Sequence, residues 1–137
     1  MALDFTLKEI RTNEDVTLSS FKGKSIMLTF WTSWCPDSLQ DLQQKNRLYL
    51  NMAKDKLVFL TINVTGRERN ERDANTFLEG AEYQFPTLVD EGTKVYNQFQ
   101  CEGVPTTILI NEKFEIVRNY NDQTPFIEIV KGLSELI

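Results

Sequence analysis

The chain has 137 residues, 41% of them hydrophobic and nine of them phenylalanine, which is apolar material for one globular domain, residues 1 to 137, and gives no support for a second. Its formal charge of −5, with 26% charged residues of both signs, supplies no basic stripe for a phosphate backbone, so nucleic acid is not an expected partner. There is no histidine, and the cysteines are Cys35 and Cys101; this excludes histidine acid–base chemistry and a Cys/His nucleophilic pair, and no metal or organic cofactor is expected.

No run approaches the ~20 apolar residues that cross a bilayer. The opening Met1-Ala2-Leu3-Asp4-Phe5 lacks the basic-then-apolar order of a signal sequence, so the chain as written is expected to be soluble, with no membrane tether visible in it. Residues 4–8 and 15–18 read as two short strands, followed by a turn with one buried aromatic, Phe21. Residues 25–31, SIMLTFW, form a short and nearly unbroken apolar run, the pattern of a strand buried on both faces. Pro36 suits the first position of a helix, and Leu39, Leu42, Tyr49 and Ala53 follow at helical spacing. Residues 56–64 predict a second buried strand, parallel to the first across a right-handed crossover.

Residues 67–80 read as a charged helix with Ala74, Phe77 and Leu78 on one face and Gly80 at its end. Its arginines, Arg67, Arg69 and Arg72, read as a solvated face balanced by Glu68, Glu71 and Asp73. A segment FPTLVDEG, a short helix through Val95, Tyr96 and Phe99, a strand at 106–110 and a hairpin into 114–118 come next. The last helix is predicted to open at Thr124 with Pro125 in its first position and to bury Phe126, Ile127, Val130, Leu133 and Ile137.

This order predicts an α/β domain with a central mixed β-sheet flanked by helices and an N-terminal β-hairpin extension. The segments VTLSSFKGKSIMLTFWTSWCP and FPTLVDEGTKVYNQFQCEGVPTTILINEKFEIV resemble the two halves of the TlpA/ResA-like branch of the thioredoxin superfamily, which borders the AhpC/TSA-related peroxiredoxins. Two motifs carry the likeness: Trp34-Cys35-Pro36 at a strand-to-helix junction, and Gly103-Val104-Pro105-Thr106 about 70 residues later, before a strand.

The resemblance implies a thioredoxin-like fold and a cis Val104–Pro105 bond beside the cysteine, with Val104, Pro105 and Thr106 as a substrate platform. It also matches Asp41 to a carboxylate that tunes cysteine reactivity in the family; an ordinary exposed helix carboxylate is the other reading. The family works mostly outside the bacterial cytoplasm, often tethered to a membrane. Two local departures are Gln43, where the first helix often has proline, and Phe114, where the hairpin usually has glycine.

Cys35, immediately before Pro36, falls at a helix N-terminus. A cysteine at a helix N-terminus faces unpaired N–H groups and the positive end of the dipole, which favour the nucleophilic thiolate. Trp34 is expected either to shield the sulfur or to lie in the core.

The departure that matters is Ser38, which stands where the family has its second cysteine. A two-cysteine protein attacks a disulfide with the first thiol and releases itself with the second. Serine cannot perform that release, although its hydroxyl is expected to donate a hydrogen bond to the Cys35 thiolate. Resolution then falls to an external thiol, to the substrate's own second cysteine, or to Cys101, for which a semi-buried core thiol is the expectation. The expected activity is monothiol thiol–disulfide exchange on protein or low-molecular-weight disulfides. The alternatives are a one-cysteine peroxidase using Thr32, three residues before Cys35, and a non-catalytic thioredoxin-fold binding protein.

Overall fold

The computed structural model describes residues 4–52 and 54–137. Its centre is a pair of parallel strands, β3 (Ser25–Trp31) and β4 (Leu57–Asn63), in register from Ser25 opposite Leu57 to Trp31 opposite Asn63. Every residue of β3 is buried, as its unbroken apolar run requires. Around this pair lie β1 (Thr6–Glu9), β2 (Asp15–Thr17), β5 (Thr87–Val89), β6 (Thr106–Ile110) and β7 (Ile116–Tyr120), giving one mixed sheet in the order β2-β1-β5-β4-β3-β6-β7. β5 runs parallel to β4, whereas β6 and the β1–β2 hairpin join antiparallel.

Strand alternation divides the core into two layers. Ile26, Leu28 and Phe30 of β3 pack with Leu7, Ile62, Ile108 and the short helix α3 (Lys94–Gln98). Met27 and Trp31 face the opposite side, against α1 (Pro36–Asn51), α2 (Asp73–Ala81) and α4 (Phe126–Leu136) through Leu42, Leu78, Ile129 and Leu133. Burying each such side chain contributes roughly 1.5–3 kcal/mol. The α1 N-terminus lies at the edge of the sheet where the parallel strands end, the usual place for a site in α/β domains.

Several predicted boundaries are corrected. The helix expected over 67–80 starts only at Asp73, because residues 65–69 are held in a loop by side chains of other elements. Gly80 does not end it; Glu82 does, in left-handed conformation with φ of 58°. The last helix has Pro125 as its N-cap and not at its first position, which is Phe126.

Its predicted face is rotated: Ile127 and Ile137 are exposed and Ile129 is buried. The reason is Gly132, which meets the Tyr120 ring of β7 where no side chain fits. Phe21 is only partly buried. The final strand is displaced to Ile116–Tyr120 because Phe114 sits in the turn, with φ of 64°. That left-handed conformation suits glycine, and burial of the Phe114 ring, 3% exposed, offsets its cost. Ala53 lies outside the described residues.

Candidate active site

Cys35 is the N-cap of α1, with φ −88° and ψ 114°, and Pro36 follows at the first helical position, where its missing N–H leaves nothing unpaired. The residue is 9% exposed, and its Sγ donates to the carbonyl oxygen of Val104 at 3.6 Å. The Val104–Pro105 bond is cis. Among the described residues Val104 makes no hydrogen bond to another backbone group, so its N–H is open to a substrate strand and its C=O carries only the weak contact from the Cys35 thiol.

Two of the predicted neighbours, Ser38 and Thr106, are placed differently from expectation, and for Trp34 one of the two readings falls away. The hydroxyl of Ser38 is not the partner of the thiol: Ser38 is fully buried, and its Oγ accepts the N–H of Thr32 at 3.4 Å, bracing the loop that leads to Cys35. Trp34 is not a core residue: it is 41% exposed, its Nε1 donates to the Arg67 carbonyl at 2.7 Å, and the Arg69 guanidinium stacks 5.0 Å from its ring. Thr106 is 2% exposed and donates to the Gly103 carbonyl at 2.6 Å, so it shapes the platform from beneath and does not face a substrate.

Asp41 is neither an exposed helix carboxylate nor an isolated one. Lys45, one turn further along α1 and fully buried, brings its Nζ within 2.8 Å of Asp41 Oδ2. The same ammonium donates to Thr29 Oγ1 at 2.7 Å and Thr107 Oγ1 at 2.6 Å, one hydroxyl from each of two adjacent strands. Burial pushes the Lys45 pKa down, and the Asp41 charge opposes that shift. Asp41 also lines a cavity of about 220 Å³ beside Pro105, with Asp37, Asp122 and Phe126 on its walls.

A second feature the sequence reading missed is the loop after β4. The Glu68 carboxylate accepts three hydrogen bonds: Ser33 N–H at 2.7 Å, Ser33 Oγ–H at 2.6 Å and Asn63 Nδ2 at 2.7 Å. On its other side this loop is tied to residues 90–92, through Gly66 N–H to the Gly92 carbonyl at 2.9 Å and Thr65 Oγ1 to the Asp90 carbonyl at 2.7 Å. The three arginines are not buried, as read, but Arg67 lies 5.0 Å over the Tyr96 ring.

Cys101 is half-buried against the core, with its pKa pushed up to about 12, chiefly by burial, while a hydrogen bond with Thr106 opposes the shift and the Asp90 charge adds to it. It is a protonated packing thiol at neutral pH, as expected. Among the described residues no group of His, Cys, Asp and Glu side chains is placed to hold a metal ion, and no helix is long and apolar enough to cross a membrane.

A mixed sheet of this order, with a cysteine capping the first long helix opposite a cis X–Pro bond, defines a thioredoxin-like domain. The structure superposes on the pneumococcal exposed lipoprotein thioredoxin from Streptococcus pneumoniae with TM-score 0.85, at 29% identity over 98% of this chain and 100% of that one. StoA from Bacillus subtilis gives 0.81 at 27% identity, covering 96% of each. The chain belongs to the AhpC/TSA family, whose model matches residues 1–119.

Among relatives, sporulation thiol-disulfide oxidoreductase A of Bacillus subtilis is 31% identical over 112 residues, 82% of this chain and 67% of that protein. Thiol-disulfide oxidoreductase ResA of Halalkalibacterium halodurans is 28% identical over 85% of this chain and 64% of its own length. The chain thus spans about two thirds of the length of these relatives. These likenesses place it on the TlpA/ResA-like side of the superfamily.

Proposed function

We propose that this domain carries out thiol–disulfide exchange through Cys35 alone. The observation that carries the reading is the placement of the thiol at the α1 N-cap, 3.6 Å from the carbonyl of a residue whose backbone is free to pair with a substrate. An extended substrate segment can pair with Val104 as a strand does and present its disulfide to Cys35. The first turn of α1 then supplies N–H groups and a positive dipole end to the attacking thiolate. Relatives named thiol-disulfide oxidoreductases support the same activity.

The chemistry proceeds in two steps. The Cys35 thiolate attacks one sulfur of the substrate disulfide; the S–S bond breaks, the other sulfur leaves as a thiolate, and a mixed disulfide forms at Cys35. With Ser38 in the second position, a thiolate from outside the chain or from the substrate attacks that mixed disulfide and regenerates Cys35. Likeness to an exposed lipoprotein thioredoxin supports action outside the cytoplasm, and relatives named thiol-disulfide oxidoreductases support protein or low-molecular-weight disulfides as substrates.

The test is incubation with oxidised glutathione followed by mass spectrometry of the intact and digested chain. A glutathione adduct on Cys35, removed by added thiol and absent from Cys35→Ala, is expected. Absence of the adduct overturns the exchange reading. Trapping of a sulfenic acid by dimedone at low peroxide, without any adduct, supports a peroxidase instead; neither product supports a binding protein. The Thr32 hydroxyl that a peroxidase reading invokes is buried and, among the described residues, makes no hydrogen bond to Cys35.

A further inference from the structure

The loop between β3 and α1 must hold the Cys35 sulfur against Val104 without a regular hydrogen-bond ladder of its own. Two of its backbone N–H groups find side-chain acceptors from opposite sides. Thr32 N–H points inward to Ser38 Oγ at 3.4 Å, and Ser33 N–H points to Glu68 Oε2 at 2.7 Å. The Glu68 contact is shorter and charge-assisted, and it is doubled by the Ser33 hydroxyl on Oε1.

Glu68 is itself fixed. Asn63 Nδ2, at the end of the central strand β4, donates to Oε2, and the neighbouring Arg67 carbonyl takes the Trp34 indole N–H. Residues 33 and 34, the two that precede the thiol, are therefore both clamped to residues 67 and 68, and through Gly66 and Thr65 to the loop before α3. We propose that Glu68 is a positioning residue for Cys35, acting through Ser33 to hold the approach of the thiol to Val104. The proposal extends the exchange reading, since it assigns a part of the machinery to a residue outside both motifs.

The geometry also says what a neutral replacement does. A glutamine at position 68 keeps an oxygen at the Oε2 site for the two N–H donors, and its amide nitrogen can donate to Ser33 Oγ, because a hydroxyl accepts as well as donates. Glu68→Ala removes all three bonds. Contact geometry therefore predicts that Gln rescues and Ala does not, whereas a role for the negative charge predicts equal loss in both.

The test uses the full chain in a Cys101→Ala background, so that Cys35 is the one reporter thiol. Three quantities are read: the alkylation rate of Cys35 with iodoacetamide, the rate of adduct formation with oxidised glutathione, and the Trp34 emission maximum. Trp31 is fully buried and gives a constant background. Expected for Glu68→Ala are roughly tenfold slower reactions at Cys35 and a red-shifted emission as the Trp34 clamp loosens, by the sensitivity of reacting groups to misplacement. Expected for Glu68→Gln are rates within about twofold of wild type, because all three contacts persist.

A purely structural role lowers the melting temperature of Glu68→Ala and leaves all three readouts of the folded protein unchanged, which overturns the proposal. So does a Gln variant as slow as Ala. If Glu68→Ala does not fold, Glu68→Met supplies the same comparison with the packing retained. Alkylation does not depend on exchange: a wild type that forms no glutathione adduct, yet loses alkylation rate in Glu68→Ala and regains it in Glu68→Gln, refutes the exchange reading and leaves the positioning role standing.

Discussion

Lys45 and Asp41 lie one turn apart on α1, with Nζ 2.8 Å from Oδ2, Asp41 lining the cavity that opens beside Pro105 and Lys45 enclosed in the core. The ammonium is wholly enclosed and carries two threonine hydroxyls besides the carboxylate, so its removal strands three polar partners. Lys45→Met is expected to destabilise by about 2–3 kcal/mol, somewhat below the roughly 3–5 kcal/mol of a sealed pair because Asp41 keeps an edge on the cavity. Urea denaturation checks this; a Met variant as stable as wild type shows that the pair contributes nothing net.

The same lysine predicts a pH dependence. Burial holds its folded-state pKa below the ordinary value of 10.5, so between the two values the unfolded chain binds a proton that the folded chain does not. Stability from this group therefore rises with pH through that alkaline window. Denaturation midpoints measured from pH 8 to 10.5 are expected to show this upward contribution in wild type and to lack it in Lys45→Met. A parallel pH dependence of the two proteins refutes the assignment.

Cys101 supplies a contrast between the two thiols. With a pKa of about 12, it is thiolate in only about one molecule in ten thousand at pH 8, and its burial hinders access further. Native alkylation at that pH is expected to label Cys35 alone, Cys101 reacting only after unfolding. Cys101→Ala should leave the lifetime of the Cys35 mixed disulfide unchanged within twofold; a markedly longer lifetime would make Cys101 the resolving thiol.

The central strands and the cysteine-capped helix were legible because their signals are local: an unbroken apolar run in β3, then Pro36 at a helix start. Lys45 was not, because a lysine on a helix reads as solvent-facing by default. A signal existed in the threonines: Thr29 shares strand parity with Met27 and Trp31, so its hydroxyl had to meet a polar partner on α1. Glu68 was hidden by its neighbours, since RERNER looks like a solvated helix; the absence of any apolar period before Ala74 was the counter-signal. The face of α4 was ambiguous because Phe126, Ile127, Ile129 and Val130 surround the axis, and the close approach of Gly132 to Tyr120, a non-local contact, selects the one that packs.

Gly66 tests the same loop from its far side. A Cβ there would lie 2.7 Å from Thr93 Cγ2 and 2.8 Å from the Gly92 carbonyl carbon, and the latter is backbone that cannot swing aside. Gly66→Ala is expected to cost about 1–3 kcal/mol as an overpacked contact. It should also slow alkylation of Cys35, because the displaced loop carries the Glu68 and Arg67 acceptors. A variant with wild-type melting and wild-type alkylation would show that the loop yields freely at this point.

Ser38→Cys returns the second thiol to the position the fold provides for it, three residues after Cys35 within the first turn of α1. Ser38 is fully buried while Cys35 is 9% exposed, so the new thiol lies behind the attacking one and is sheltered from reagents. Mild oxidation is expected to close a disulfide between Cys35 and the introduced thiol, the oxidant taking two electrons and two protons, seen as loss of the mass of two hydrogen atoms and loss of Cys35 alkylation. Reaction of the reduced variant with oxidised glutathione should then release two equivalents of glutathione without leaving an adduct, since the internal thiol attacks the mixed disulfide. Wild type is expected to release one equivalent and retain the other until an external thiol is added. If the Ser38→Cys protein also retains its adduct, the site lacks the geometry for internal release, and serine at this position is one part of a larger divergence from the two-cysteine mechanism.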